Sequence, residues 1–112
     1  MDKSANILGT KYTIEILKEC DDPKLKICDG YVDWTIKKIV VGDFESDENS
    51  LKDLKEYTKK VIRHEIIHAF LIESGLWECS RKESSWARSE EMADWIARQF
   101  HKIADVFKEL GI

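Results

Sequence analysis

Apolar and polar residues alternate over residues 11–18, which puts Tyr12, Ile14 and Ile16 on one side of an extended segment. That is the period-two pattern of a half-buried strand. Asp21, Asp22 and Pro23 read as a turn, because proline fixes its own φ and pushes Asp22 toward extended geometry. A short strand is expected at 25–28. Gly30 permits a tight bend before 31–34, and the β-branched run 35–41 predicts a further strand ending at Gly42. Two or three antiparallel strands over about 11–41 thus make up the first half. Residues 43–50 form an acidic, polar loop, in which Ser50, with Asp53 three residues on, is placed to cap a helix.

There the period changes. From 51 to 74, Leu54, Val61, Ile62, Leu71 and Ile72 recur with helical spacing, and Gly75 supplies a stop. Residues 77–85 are a polar connection. A second helix is expected over 86–110, with a stripe through Ala93, Ala97, Phe100, Ala104 and Phe107 and an end at Gly111. The fold class is therefore α+β, a small antiparallel sheet packed against a long helix and a C-terminal helix. With 112 residues in all, the chain has room for one domain and one core.

Composition narrows the partners. A net charge of -4 opposes binding to a polyanion, and the Lys37-Lys38 and Lys59-Lys60 pairs are too short to make a phosphate-binding patch, so no nucleic-acid role is expected. Cys20, Cys28 and Cys79 are odd in number and widely spaced, which fits reduced thiols better than a disulfide framework. Residues 1–10 hold no signal-peptide run and no stretch is long and apolar enough to cross a bilayer, so the expected location is cytoplasmic.

The strongest chemical signal is His64-Glu65-Ile66-Ile67-His68, an HExxH string inside the first long helix. Histidines four apart lie one turn above each other, so both imidazoles can reach one metal at the ~2.0–2.1 Å that zinc–nitrogen bonds require. Glu65 is then placed as a general base for metal-activated water without being a ligand. By ordinary residue frequencies the string arises by chance in under ~1% of chains this long, so accident is a weak competitor. Two core histidines satisfied by hydrogen bonds are the plainer structural alternative.

A catalytic zinc needs a third protein ligand and an open position. Glu90 and Glu91 are the candidates. On a helical wheel Glu90 shares the inward side with Ala93, Ala97 and Ala104, whereas Glu91 turns toward Arg98, where an ion pair explains it. Glu90 is the expected ligand. Asp94, one turn on, can accept the spare N–H of a ligating histidine. His101 stands about 16 Å along the helix from Glu90, too far to share its metal. Zinc is the expected ion, although two histidines and a carboxylate also accept manganese, cobalt or iron.

HEIIHAF followed by EEMADWIA resembles the gluzincin pattern, in which a later helix supplies the glutamate. It is more loosely similar to the ImmA/IrrE-type metallopeptidases of phages and mobile elements, over about residues 30–100, with Glu90, Ala93, Asp94 and Ala97 matching the glutamate-helix motif. Metzincins place a histidine six residues after the second one, where this chain has Ser74. The resemblance implies a short sheet against the HExxH helix and hydrolysis of a protein or peptide substrate. Strand addition along an edge strand near 35–41 would hold such a substrate. A catalytically silent, metal-containing binding or regulatory module is the alternative, and a plain helical interaction protein a third. The donor opposite the metal that catalysis needs has only Tyr31, Trp34 and His101 as candidates.

Overall fold

In the computed structural model, which describes residues 2–45, 48 and 50–112, the alternating segment becomes strand β2 (Thr10–Leu17). Tyr12 and Ile14 are buried in it and Lys11 and Thr13 exposed. Strand β1 (Asp2–Ile7) folds back antiparallel, with Ile7 opposite Thr10. Leu8 and Gly9 join them at φ of 51° and 89°. Two successive left-handed residues match the right-handed twist of a hairpin, and Asn6 Oδ1 fixes the turn by accepting from Gly9 N at 2.8 Å. Strands β3 (Gly30–Asp33) and β4 (Lys38–Gly42) form a second antiparallel pair. β4 inserts beside β2 in parallel, with Ile14 opposite Ile39.

Among the described residues the sheet therefore has four strands in the order β1-β2-β4-β3 and is mixed, not a purely antiparallel sheet of two or three. The expected strand at 25–28 is a single 3-10 turn, Pro23–Lys26. Proline presets its first residue, and Asp22 caps it by accepting from Lys24 N at 3.1 Å. The strand expected from 35 begins at Lys38, because Asp33 Oδ1 captures Thr35 N at 3.1 Å and Lys37 adopts a φ of 55°, making 34–37 a turn. β4 is also not an edge. Ile39, Val40 and Val41 are all essentially inaccessible, as a central strand requires, and β1 and β3 are the edges.

Helix α1 (Leu54–Glu73) starts three residues later than expected, because Asp53 is the cap, accepting from Glu56 N at 3.0 Å. Gly75, at a φ of 86°, ends it and leads into a single turn, α2 (Leu76–Cys79), which overlaps the start of the polar connection expected at 77–85. A 3-10 turn over Trp86–Arg88 precedes helix α3 (Glu90–Leu110). The helix expected from 86 starts at 90 because Ser89 caps it, accepting from Met92 N at 3.1 Å. Gly111 ends it at a φ of 71°. Met1 and positions 46, 47 and 49, part of the amino-terminal stretch and acidic loop read from the sequence, lie outside the described residues.

α1 covers one face of the sheet. Ile7, Tyr12, Ile14, Ile39 and Val41 meet Val61 and Ala69 there and form the core. α3 then packs on α1 through Ala93 and Ala97, whose small side chains let the two backbones approach closely. Arg63 Nε locks the crossing by donating to the Ala97 carbonyl at 3.1 Å. Cys20, Cys28 and Cys79 are free thiols. No described helix is long and apolar enough to cross a membrane.

At the end of α1 away from its cap, Glu73 ties the helix to the sheet. Its carboxylate accepts from Tyr12 Oη at 2.6 Å, Lys37 Nζ at 2.6 Å and Thr10 Oγ1 at 3.2 Å. Hydrogen bonds from Lys37 and then Tyr12 hold this carboxyl below its ordinary value of 4.5. A depressed folded value contributes stability above the unfolded pKa, and that contribution is lost as the pH falls through the folded one. Glu73→Gln should therefore lower Tm by roughly 5 °C at pH 7. The gap from the parent should shrink below pH 4.5 in thermal melts. A gap that stays constant down to pH 3 would show that the carboxylate charge contributes nothing.

Candidate metal centre

Residues 60, 64 and 68 form one stripe of α1, four apart and so stacked a turn at a time. The adjoining stripe, with Val61, Glu65 and Ala69, turns toward the sheet and is buried, and His68 at its border is buried with it. His64 thus faces α3 while His68 sits deeper, between α3 and the sheet. α3 begins beside them because Ser89 sets its first turn, and Glu90 is its first residue. Glu90 Oε2 lies 2.8 Å from His64 Nε2 and 3.0 Å from His68 Nε2, and the two nitrogens are 3.0 Å apart. His64, His68 and Glu90 are thereby brought to one point.

A proton satisfies this triangle poorly. A His68 Nε2–H shared between His64 Nε2 and the Glu90 carboxylate still sets the His64 lone pair against a carboxylate oxygen 2.8 Å away. A divalent cation takes all three lone pairs at once. Four-coordinate zinc with bonds of about 2.0–2.1 Å holds its donors about 3.3 Å apart, so the triangle would need to open by only a few tenths of an ångström. Two imidazoles and a carboxylate suit zinc, and the open side of the triangle leaves a position free.

Burial of His68 depresses its imidazole pKa, which keeps the ring neutral and able to bind a metal. Partial burial pushes the Glu90 carboxyl up, but the hydrogen bonds and charges of His68 and His64 outweigh it and leave the group below its ordinary value. His64 Nδ1 lies 3.2 Å from Asp94 Oδ1. Asp94 in turn accepts from Lys60 Nζ at 2.5 Å and Arg98 Nε at 2.8 Å. Partial burial opposes ionisation of Asp94, yet these three donors hold its carboxyl well below the usual range. An ionised Asp94 fixes the His64 tautomer with the proton on Nδ1 and the lone pair on Nε2. His68 Nδ1, by contrast, is buried without a partner among the described residues, so no hydrogen bond on that side orients the ring. Trp77 stands edge-on to it at 6.1 Å, braced by the Arg88 guanidinium 4.4 Å over its face.

Glu65 is 7% exposed, and its carboxylate makes no hydrogen bond among the described residues. Desolvation raises its pKa to about 7, with the His64 charge working the other way and the Glu90 charge adding to the rise. It lines a cavity of about 420 Å³ with His64, His68, Glu90, Trp34 and Trp77. β3 forms the opposite wall, and Gly30 lets it come close. A Cβ there would fall 2.9 Å from the Val40 carbonyl oxygen, 3.0 Å from Val61 Cγ1 and 3.2 Å from Glu65 Cγ.

Of the remaining candidates, Glu91 and His101 are exposed and outside the cluster. The ion pair expected between Glu91 and Arg98 is absent among the described residues, since Arg98 turns to Asp94 instead. Tyr31 and Trp34 line the cavity, but the Tyr31 hydroxyl donates to Asp22. Sequence reasoning missed Lys60, whose position one turn before His64 was the available signal, and Trp77, which lay in a segment read as a connection. Comparison with family models, curated proteins and solved structures gave no match.

Titration calorimetry with zinc at pH 7.5 checks this assignment. The chain should bind one ion. Glu90→Gln and His64→Ala should each weaken binding by roughly 100-fold or more, while Asp94→Asn should cost about 10–100-fold. Glu91→Gln should bind like the parent, and equal losses in the Glu90 and Glu91 variants would remove Glu90 from the site.

Proposed function

We propose that the chain is a zinc-dependent peptidase acting on a protein or peptide, with His64, His68 and Glu90 holding the ion and Glu65 serving as the proton-transfer residue. The observation that carries this reading is a mostly buried Glu65, its carboxylate without a hydrogen-bond partner among the described residues, beside a metal-ready donor triangle at the floor of an open cavity. When bound, the ion supplies Lewis acidity for water and for the carbonyl under attack. Glu65 takes the proton from the attacking water and returns it to the departing amine. Burial raises this carboxyl above its ordinary value, which makes it a stronger base for the first transfer. The resemblance to gluzincins and to the ImmA/IrrE-type enzymes supports the same assignment.

The edge strand that would hold an extended substrate is β3, and not the segment at 35–41 read from the sequence. Gly42 N donates to the Asp29 carbonyl, which makes residues 29 and 42 a hydrogen-bonded antiparallel pair. By alternation Tyr31 and Asp33 also point their backbone groups at β4, while Gly30 and Val32 point theirs outward. A peptide added to this edge would run beside Glu65. Metal-holding without turnover is the second reading. It is favoured by one observation, that the Tyr31 hydroxyl is committed to Asp22 rather than free to stabilise an oxyanion.

Two variants test these ideas on a panel of unfolded proteins as substrates. Glu65→Gln should keep its zinc and lose at least about 100-fold in kcat; zinc-loaded parent protein with no turnover on any substrate would favour the second reading. Val32→Pro removes an outward N–H without touching the β4 ladder, so it should raise KM several-fold and leave zinc content unchanged. An unaltered KM would remove β3 from substrate binding.

A further inference from the structure

The metal centre uses only the first turns of α3. Beyond them Ile96, Phe100, Ile103, Phe107 and Leu110 recur at steps of four, three, four and three, the 3.5-residue period of a helix seam that packs on another helix. α1 does not cover this seam, since it meets α3 through Ala93 and Ala97. Phe100 is 61% exposed, Phe107 50% and Leu110 66%, and Trp95 and Val106 beside them are 56% and 50% exposed. The face bears no charged residue between Trp95 and Phe100 around the helix, only Gln99, as the centre of an interface does.

We propose that this face is the contact between two copies of the chain, joined by α3 helices running antiparallel about a two-fold axis near residues 101 and 102. In that register Ile96 of one copy meets Phe107 of the other, and Phe100 meets Ile103. Each aromatic ring thus faces an isoleucine, and each layer is repeated across the axis. A face complementary to itself closes as a symmetric dimer. Taking about 200 Å² for a fully exposed phenylalanine, the exposed apolar side chains of this face amount to about 500–600 Å² per chain. Two copies thus bury on the order of 1,200 Å² with their polar rim, the lower end of the range for stable complexes.

Charge separates this occupant from a lipid surface. The flanks carry Glu91, Arg98, Lys102, Asp105 and Glu109, a mixture of signs unlike the Lys/Arg-rich polar face of a helix that lies on an anionic bilayer. Glu90 points about 120° around the helix from the centre of the seam, so pairing leaves the metal cavity open. The dimer does not depend on the peptidase reading.

Sedimentation velocity of the whole chain from 5 to 200 µM, with and without zinc, tests the proposal. A monomer–dimer equilibrium is expected within that range. Phe107→Glu and Phe100→Glu should each weaken it by at least about 30-fold, with helix content by circular dichroism and zinc uptake unchanged. Phe107→Ser serves if the charged variant loses helix. A parent chain that stays monomeric at 200 µM overturns the proposal, including the case in which that monomer binds phosphatidylcholine vesicles. So do well-folded variants that dimerise as the parent does.

Discussion

Two imidazole nitrogens and one carboxylate oxygen meet within 3.0 Å of one another, and most of the architecture serves that convergence. The histidines are fixed by one turn of α1, but Glu90 arrives from a separate helix and must be placed by packing. Ala93 and Ala97 set how near α3 comes to α1, and the Ser89 cap sets where α3 begins. Larger side chains at either alanine would push Glu90 away from the histidines. Glu90 itself is mostly exposed, so its aim depends on the two rings and on any ion they share, more than on burial.

Around the triangle, two carboxylates are driven in opposite directions by their surroundings. Glu65 lies against Gly30 without a hydrogen bond among the described residues, and burial brings its pKa to about 7. Asp94 accepts from Lys60, Arg98 and His64 and stays ionised. One group is thus able to exchange a proton near neutral pH, and the other is a fixed negative charge that orients a ring. Environments that separate the pKa values of neighbouring carboxyls are a general way to divide acid–base work from electrostatic support. The fold creates the difference by turning Glu65 inward to the sheet and Asp94 outward to a cationic pair.

Much of this was legible in the chain. Helical spacing located α1 and α3, HExxH fixed the histidines, and the wheel of alanines separated Glu90 from Glu91. Tyr12 and Ile14 gave β2 by alternation. What escaped were features decided by tertiary context or by side-chain capture of the backbone. β1 has only Ala5 and Ile7 as apolar signals and turns through a leucine at positive φ, a conformation the residue type does not advertise. Asp33, Asp53 and Ser89 moved three element boundaries by accepting from backbone N–H groups. The parallel pairing of β2 with β4 joins segments far apart in the chain, and no local pattern announces it. That pairing made β4 central and passed the edge beside the candidate metal site to β3.

X-ray absorption at the zinc edge, on the chain loaded with one equivalent of zinc, reads the donor set of His64, His68 and Glu90 itself. Imidazole scattering from two histidines is expected, with a first shell of nitrogen and oxygen at about 2.0–2.1 Å and no sulfur. A shell at about 2.3 Å, the distance of a cysteine thiolate, or a spectrum without two imidazoles would place the ion elsewhere and contradict that donor set.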